Sequence, residues 1–498
     1  MAQYMIIRKR IYVEWKNNYI NMKFVRIIAS TSLALIFSIS LNAQKVWSLE
    51  DCINYAIENN ITVKRQELTA ESAEKSYFQS KMELLPNLNA NGQHYYNSGK
   101  TLNQESYTYV EDAFQGGDIN LASELVIFNG LQNFNNIQKS KLDLMAQLEI
   151  VEKAKNDLTL NVSTAYLQIL LSKELRDNAQ QQLDVTLDQI EKTKRLVEIG
   201  NAAKGDLLLI KSQAASEKAA LTDAENNLKI AYLDLSQLLN LEDPEEFEIL
   251  FPVIPDITLI DEISNINTVY SEALEFLPEI RSAELSVESS KKGLSIAKGG
   301  ISPSLAVGYR YGSRYNELSN KIIGETGNYI QSPEVSGITA GGEDVYAVFR
   351  EIELASSYPY FEQINDNASH FIYVGMQIPL FNKWRNANAI SQAKINLSDS
   401  RLNLDLQKQN LYKSIQQART QAIAALDRYK ANLEAVESME EAFRYTEQKY
   451  QVGLVDILEY KTAKNQLNQT KSDLAQAKYQ YIFRTKILEF YRGEQIKL

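Results

Sequence analysis

Two glycines and the acids that follow them have the only spacing in the chain that suggests a working site. Gly200 stands six positions before Asp206, Gly453 stands six before Glu459, and Asp456 lies three before Glu459. Acids three apart in the first turn of a helix share a face. Their plain role is electrostatic, since carboxylates favour the positive N-terminal end of a helix. Bond-making chemistry has little to work with. One cysteine and two histidines, His94 and His370, cannot build a disulfide framework or a zinc cluster. The other polar residues assemble no nucleophile–base pair and no phosphate loop. No enzyme activity, catalytic residue, metal or cofactor is expected. The histidines sit at or near strand edges and are read as interfacial or loop residues with no chemistry assigned, and Cys52 as a small apolar residue on a helix face.

The elements that position these acids occur twice. Phe128-Asn129 recurs as Phe381-Asn382, Asn133 as Asn386, Leu158 as Leu411, Ala165 as Ala418, Gln213 as Gln466, Leu221 as Leu474 and Ala224 as Ala477, all at an offset of 253 residues. No gap is needed across about a hundred residues, which marks a structural duplication. Each copy reads as a helix, a pair of strands and a very long helical hairpin. The first repeat covers 44–240, with strands near 86–97 and 118–128 and a hairpin over 129–240 turning near 200. The second covers 268–498, with strands near 303–313 and 370–381, a long loop at 313–369 and a hairpin over 382–492 turning near 453. Residues 241–267, with Pro244, Pro252 and Pro255, link the halves.

The opening helix starts at Trp47-Ser48-x-x-Asp51, where Ser48 caps the free amides, and runs to about Met82, ahead of Pro86. Its counterpart runs from about Val269 to Lys298, ahead of Pro303. In the first strand Leu88, Ala90, Gly92, His94 and Tyr96 occupy one face and Asn87, Asn89, Asn91 and Gln93 the other. Apolar-out, amide-in alternation suits a lipid-facing, water-lined barrel strand, although a half-buried soluble sheet would share it. Leu305, Val307, Tyr309 and Tyr311 alternate less cleanly with Ser304, Ala306, Gly308 and Arg310. Tyrosines near strand ends suggest an interfacial girdle. In the hairpins Ile415, Ala422, Tyr429, Val436, Phe443 and Tyr450 recur every seven residues, answered by Val162, Ile169, Arg176, Leu183, Ile190 and Val197. Sustained sevens specify a coiled-coil seam. The returning arms continue with Ala214, Leu221, Leu228 and Leu235, and with Leu467, Leu474, Tyr481 and Leu488.

Nine prolines and twenty glycines in 498 residues are few for several small domains and fit long helices. Lys23 and Arg26 precede an apolar run from Ile27 to Leu41, with Ala43 as a small residue for cleavage. Residues 1–43 are therefore read as a leader and signal peptide, the alternative being a retained anchor. Met22-Lys23 resembles a natural start, which would make 1–21 an upstream extension. The net charge is −11 overall, and the leader's excess of five positive charges leaves −16 for the remainder. So acidic a chain repels nucleic acid. No run after residue 43 approaches 18 apolar residues, so any membrane contact of the mature chain is made by strands. Open strand edges are not tolerated in lipid, and a long hairpin cannot bury its stripe alone, so oligomerisation is expected. A β end in the outer membrane and an α tube in the periplasm is the simplest object with these parts.

The order of elements resembles the TolC-type outer-membrane efflux family over nearly all of the mature chain. The carrying residues are Trp47-Ser48-Leu49-Glu50-Asp51-Cys52-Ile53, the Phe-Asn at each strand exit and the Gly-x5-acid at each tip. The resemblance implies a mainly α fold with a small β part. It implies a homotrimer whose α-helical barrel is continuous with a 12-stranded transmembrane β-barrel. The expected activity is that of a passive exit duct in the outer membrane, with a large periplasmic part, serving a tripartite efflux or type I secretion system. Its partners would be outer-membrane lipid, a periplasmic adaptor and an inner-membrane pump. By the same resemblance Glu459, with Asp456, Asp206 and Tyr450, would form the pore constriction, and three copies of each acid would make carboxylate rings favouring cations. Adaptor hairpins would dock at Gly200, Asn201 and Ala202 and at Gly453, Leu454 and Val455. An arginine that some members carry is replaced by Val455, and a second family acid by Thr462. The competing reading is a periplasmic coiled-coil adaptor without a pore. Such proteins usually carry one hairpin beside a lipoyl-like sheet, and two hairpins with intervening strands count against it. A porin-like barrel is disfavoured by the dominance of helix.

Overall fold

The computed structural model describes residues 46–102, 109–241, 247–252 and 265–497. The leader and most of the 241–267 linker lie outside the described residues. Two of the helices are 67 residues long, α3 (Gln132–Glu198) and α8 (Arg385–Gln451). At 1.5 Å per residue each spans ~100 Å. They turn back into α4 (Lys204–Leu239) and α9 (Ile457–Tyr491). Val162, Ile169, Leu183, Ile415, Ala422 and Val436 of the sevenfold stripe are buried.

The two shorter helical segments are each broken, where the sequence suggested continuous helices. α1 (Leu49–Asn59) and α2 (Ile61–Met82) meet at Asn60, whose backbone is extended. Its side chain accepts the Thr62 N–H at 2.8 Å and donates to the Leu238 carbonyl at 2.9 Å. One asparagine thereby caps a new helix and ties the break to α4. α5 (Ile266–Phe276) and α6 (Pro278–Gly299) part at Leu277, since the following proline lacks an N–H and holds the residue before it extended. Ser48 caps α1 as expected, and Asp51 accepts the Ser48 N–H in return to complete a capping box.

β2 (Asn89–Leu102), β3 (Tyr109–Asn129), β5 (Ser304–Asn316) and β8 (Ser369–Gln377) make one antiparallel sheet in that order. β2 and β3 run further from the helices than the expected bounds of 86–97 and 118–128, because the ladder continues through Leu102 and Tyr109. β8 stops before Pro379, which has no donor for a ladder. The 313–369 segment is structured. It holds a second hairpin of β6 (Ile322–Ile338) and β7 (Asp344–Leu354) and a short helix, α7 (Tyr360–Asp366). Gln363 of α7 is buried and accepts the Asn316 N–H at 2.9 Å, fastening the helix to the end of β5. A short parallel pair joins β1 (Val46–Trp47) to β4 (Glu248–Ile249), so part of the linker binds the chain's beginning.

The helices pack side by side as a slab. Near the strands α2 packs on α3, α3 on α6 and α6 on α8; toward the tips the order is α4, α3, α9, α8. The main core lies between these halves, where Cys52, Ala56, Val162, Tyr166, Ile169, Leu235, Leu239 and Ile249 are buried together. Trp47 meets Tyr55 and Phe247 edge-on there, and burial pushes the Tyr166 phenol well above its ordinary value. None of the helices among the described residues is long and apolar enough to cross a membrane.

Candidate functional site

Residues opposite one another in a ladder share a sheet face, so the register sorts the sheet's two sides. One side carries Ala90, Tyr96, Ile119, Leu121, Leu125, Leu305, Val307, Tyr309, Tyr311, Ile372, Val374 and Met376. On β8 this side is open, with Ile372, Val374 and Met376 at 73%, 69% and 68% exposure. The other side carries Asn89, Asn91, Gln93, Asp118, Asn120, Glu124, Arg310 and Arg314. Gln93 donates to Asp118, and Asn120 donates to the same carboxylate at 2.7 Å. Tyr373 lies flat across Gly308, where a Cβ would strike its ring, and donates to Glu124 at 2.7 Å. The weak alternation of β5 is therefore real, since Gly308 is left bare to seat a neighbouring ring. His94 and His370 point to the apolar side and meet Gln115 at 3.2 Å and Tyr309 at 2.9 Å.

The strand-to-helix corners explain the repeated Phe-Asn. The Asn129 carboxamide accepts the Asn133 N–H at 3.3 Å and Asn382 accepts that of Asn386 at 3.4 Å. Between them the backbone takes two left-handed residues, Gly130-Leu131 in one copy and Lys383-Trp384 in the other. Only the first copy spends a glycine there, where a Cβ would collide with the Gly299 carbonyl.

At the far end both tips turn in the same way. Gly200 and Gly453 have φ of 80° and 76°. In each, the glycine N–H and the next N–H reach back to the helix, Gly200 to Val197 and Asn201 to Leu196, Gly453 to Tyr450 and Leu454 to Lys449. This is the Schellman arrangement, which satisfies the last carbonyls. Asn201, Leu454 and the two glycines are exposed, and Ala202 and Val455 half-buried. The tips then diverge. Ala203 gives α4 no side-chain cap, whereas Asp456 caps α9 by accepting the Glu459 N–H at 2.9 Å. Asp456 thus does the local work of a helix N-terminus, with Glu459 exposed beside it.

Of the sequence-derived residues the fold brings Tyr450 and Asp206 together across the two hairpins. Tyr450 also faces Gln189 and Thr193 of α3, and burial, with the Asp206 charge, raises its pKa. Sequence reasoning missed Tyr460, which stacks on Tyr450 at 4.7 Å and meets Phe443 at 5.5 Å. Burial foremost, then the charge of Glu447, pushes the Tyr460 phenol up to about 12. Its position ten residues after Tyr450, across the turn, gives no periodic signal.

Comparison with known proteins agrees with this geometry. The family model described as outer membrane efflux protein matches residues 52–241 and 269–491. The outer membrane protein TolC of Vibrio cholerae is 21% identical over 448 residues, covering 88% of this chain and 89% of that protein. The outer membrane efflux protein BepC of Brucella suis is 20% identical over 367 residues, covering 74% and 70%. The solved structure of CusC superposes with a TM-score of 0.69 at 17% identity over 90% of this chain and 92% of its own. The outer membrane protein VceC from Vibrio cholerae gives 0.69 at 15% over 90% and 97%. With the duplicated hairpins, the two-faced sheet and this match along both repeats in view, the chain belongs to the TolC-type outer-membrane efflux protein family, a channel family of the outer membrane that serves transport.

Proposed function

We propose that three copies close into a single passive exit duct, a 12-stranded β-barrel in the outer membrane continuous with an α-helical barrel in the periplasm. The observation that carries this reading is the pair of open edges. Each chain supplies four strands ending at β2 and β8, and a helical slab ending at α2 and α4 on one side and α8 on the other. Unpaired strand edges cannot stand in lipid, and the apolar face of the sheet suits the outside of a barrel with its polar face lining water. Exposed apolar side chains mark both helical edges, Leu68 and Phe78 on α2 and Ile395, Leu402 and Leu406 on α8. A rotation that joins one edge to the other closes a ring.

The periplasmic tips are the gate. Asp206, Asp456 and Glu459 from three chains would ring the entrance and favour cations, while Tyr450 holds the second hairpin against the first. A periplasmic adaptor docks on Gly200, Asn201 and Ala202 and on Gly453, Leu454 and Val455, and an inner-membrane efflux or secretion pump supplies the energy.

The native mass of detergent-extracted particles tests the closure, with a trimer expected and a monomer overturning the barrel. In the trimer, Asp456→Asn with Glu459→Gln keeps the helix cap, since Asn caps as well as Asp, and should lower cation preference in planar bilayers severalfold. Unchanged ion selectivity would remove these acids from the pore lining.

A further inference from the structure

Glu217 and Lys464 are the only charged side chains among the described residues that are buried, at 5% and 7% exposure. They meet across the seam between the two hairpins, Lys464 Nζ lying 3.5 Å from Glu217 Oε1. Lys464 also donates to the Gln182 carbonyl at 3.1 Å and to the Thr186 hydroxyl of α3. Glu217 Oε1 accepts from Gln182 at 3.1 Å and Gln213 at 2.9 Å, and Gln213 donates to Asn465 at 3.0 Å. Three helices from both sequence repeats converge on this one polar layer.

The layer stands where an apolar stripe would otherwise continue. Ile210, Ala214, Glu217 and Leu221 are buried at heptad spacing on α4, and Tyr460, Lys464 and Leu467 on α9. Closer to the strands the seam is apolar, with Ala475, Tyr479 and Ile482 in the main core. Toward the tip it loosens, and a cavity of roughly 60 Å³ opens beside Thr186, Gln189, Ile210, Gln213, Tyr460 and Lys464. Nor is the pair inherited from the duplication. At the 253-residue offset Lys464 corresponds to Lys211, which is exposed, and Glu217 corresponds to Thr470. The ions form one contact between the copies and are not repeated within them.

We propose that Glu217 and Lys464 are a register pin that fixes how the tip halves of the two hairpins align. Apolar stripes at heptad spacing tolerate slip and rotation, whereas a buried ion pair is satisfied in one alignment only. Burying both ions costs hydration that their attraction roughly repays, so alignment rather than net stability is what such a pair contributes. Burial accordingly depresses the Lys464 pKa, against the attraction of Glu217. Lys464 lies one helical turn from Tyr460, whose ring stacks on Tyr450 of α8. Under the duct reading above, on which this one consequence rests, the pin sets the shape of the entrance that the tips enclose.

Disulfide trapping tests the alignment itself. Gln213→Cys is combined in turn with Asn465→Cys, its hydrogen-bonded partner, and with Lys461→Cys or Gln469→Cys one turn to either side. The native pair should trap the 465 position about tenfold over its neighbours, and Lys464→Arg, which keeps the charge, should preserve that preference. Replacing both ions, Glu217→Met with Lys464→Met, should reduce the preference to about twofold with the melting temperature unchanged or raised. An unchanged preference in the double-Met protein would overturn the pin. So would its failure to fold, because the pair would then serve stability. The readout is internal to one folded chain and indifferent to conduction, so a failed duct, seen as a monomer by native mass, is distinguishable from a failed pin.

Discussion

Tyr460 was not marked by the acid spacing, yet its ring joins Tyr450 and Phe443 at the base of the second tip. Its phenol is raised from 10.0 to about 12 chiefly by burial. A group whose folded pKa is raised contributes stability that is complete below the unfolded pKa and is lost as pH climbs through the folded value. The melting temperature of the native protein, compared with Tyr460→Phe, should therefore hold its difference below pH 10 and lose ground from there to about pH 12. A difference independent of pH would mean that the phenol is solvated. Asp456 shows the opposite outcome at this scale. The sequence marked it correctly as an acid at a helix start, and its carboxylate is engaged in capping that helix.

At the scale of elements, the strand alternation in β2 was readable because period two is a local property. What it could not reveal was which residues of the other strands share each face, since that depends on register. The register puts Ile372 in the middle of the apolar band and Asn91 on the polar side. Ile372→Lys should destabilise the inserted sheet by ~2–4 kcal/mol, and Asn91→Lys by much less. The fraction of folded protein recovered from outer membranes measures both, and equal losses would show that the two faces do not meet different solvents. The 313–369 segment defeated the sequence for the same reason. It was read as one long loop between two strands, and the β6–β7 ladder that orders it runs through several register shifts. The breaks at Asn60 and Leu277 were missed differently. Pro278 opens α6 and holds Leu277 extended, whereas Asn60 is decided by a carbonyl on a distant helix.

Among the described residues the four-stranded sheet continues into a helical slab that is four helices wide at either level, α2, α3, α6 and α8 near the strands and α4, α3, α9 and α8 toward the tips. Under the proposed trimeric duct, assembly would depend on the two edges of this slab. Leu402 and Leu406 of α8 are exposed on one of them, and burying a leucine contributes ~1.5–3 kcal/mol. Leu402→Asp with Leu406→Asp should shift detergent-extracted particles from trimer to monomer while α8 stays helical. Retention of the trimer would place the subunit contact elsewhere.

By itself the sequence determined the duplication, the two hairpins, both glycine turns, the Phe-Asn corners and the two-faced first strand. Each of these is written within a few residues or in a repeating period, and local sterics and amphipathicity suffice to read them. Only the tertiary structure decided that Tyr450 faces Asp206, that β6 and β7 pair, and that Lys464 is buried while its repeat partner Lys211 is exposed. Lys464 and the Thr186 hydroxyl it reaches are 278 positions apart. Contacts at such separation follow from which helix faces meet, and two copies of nearly the same stripe do not specify that choice until the chain has packed.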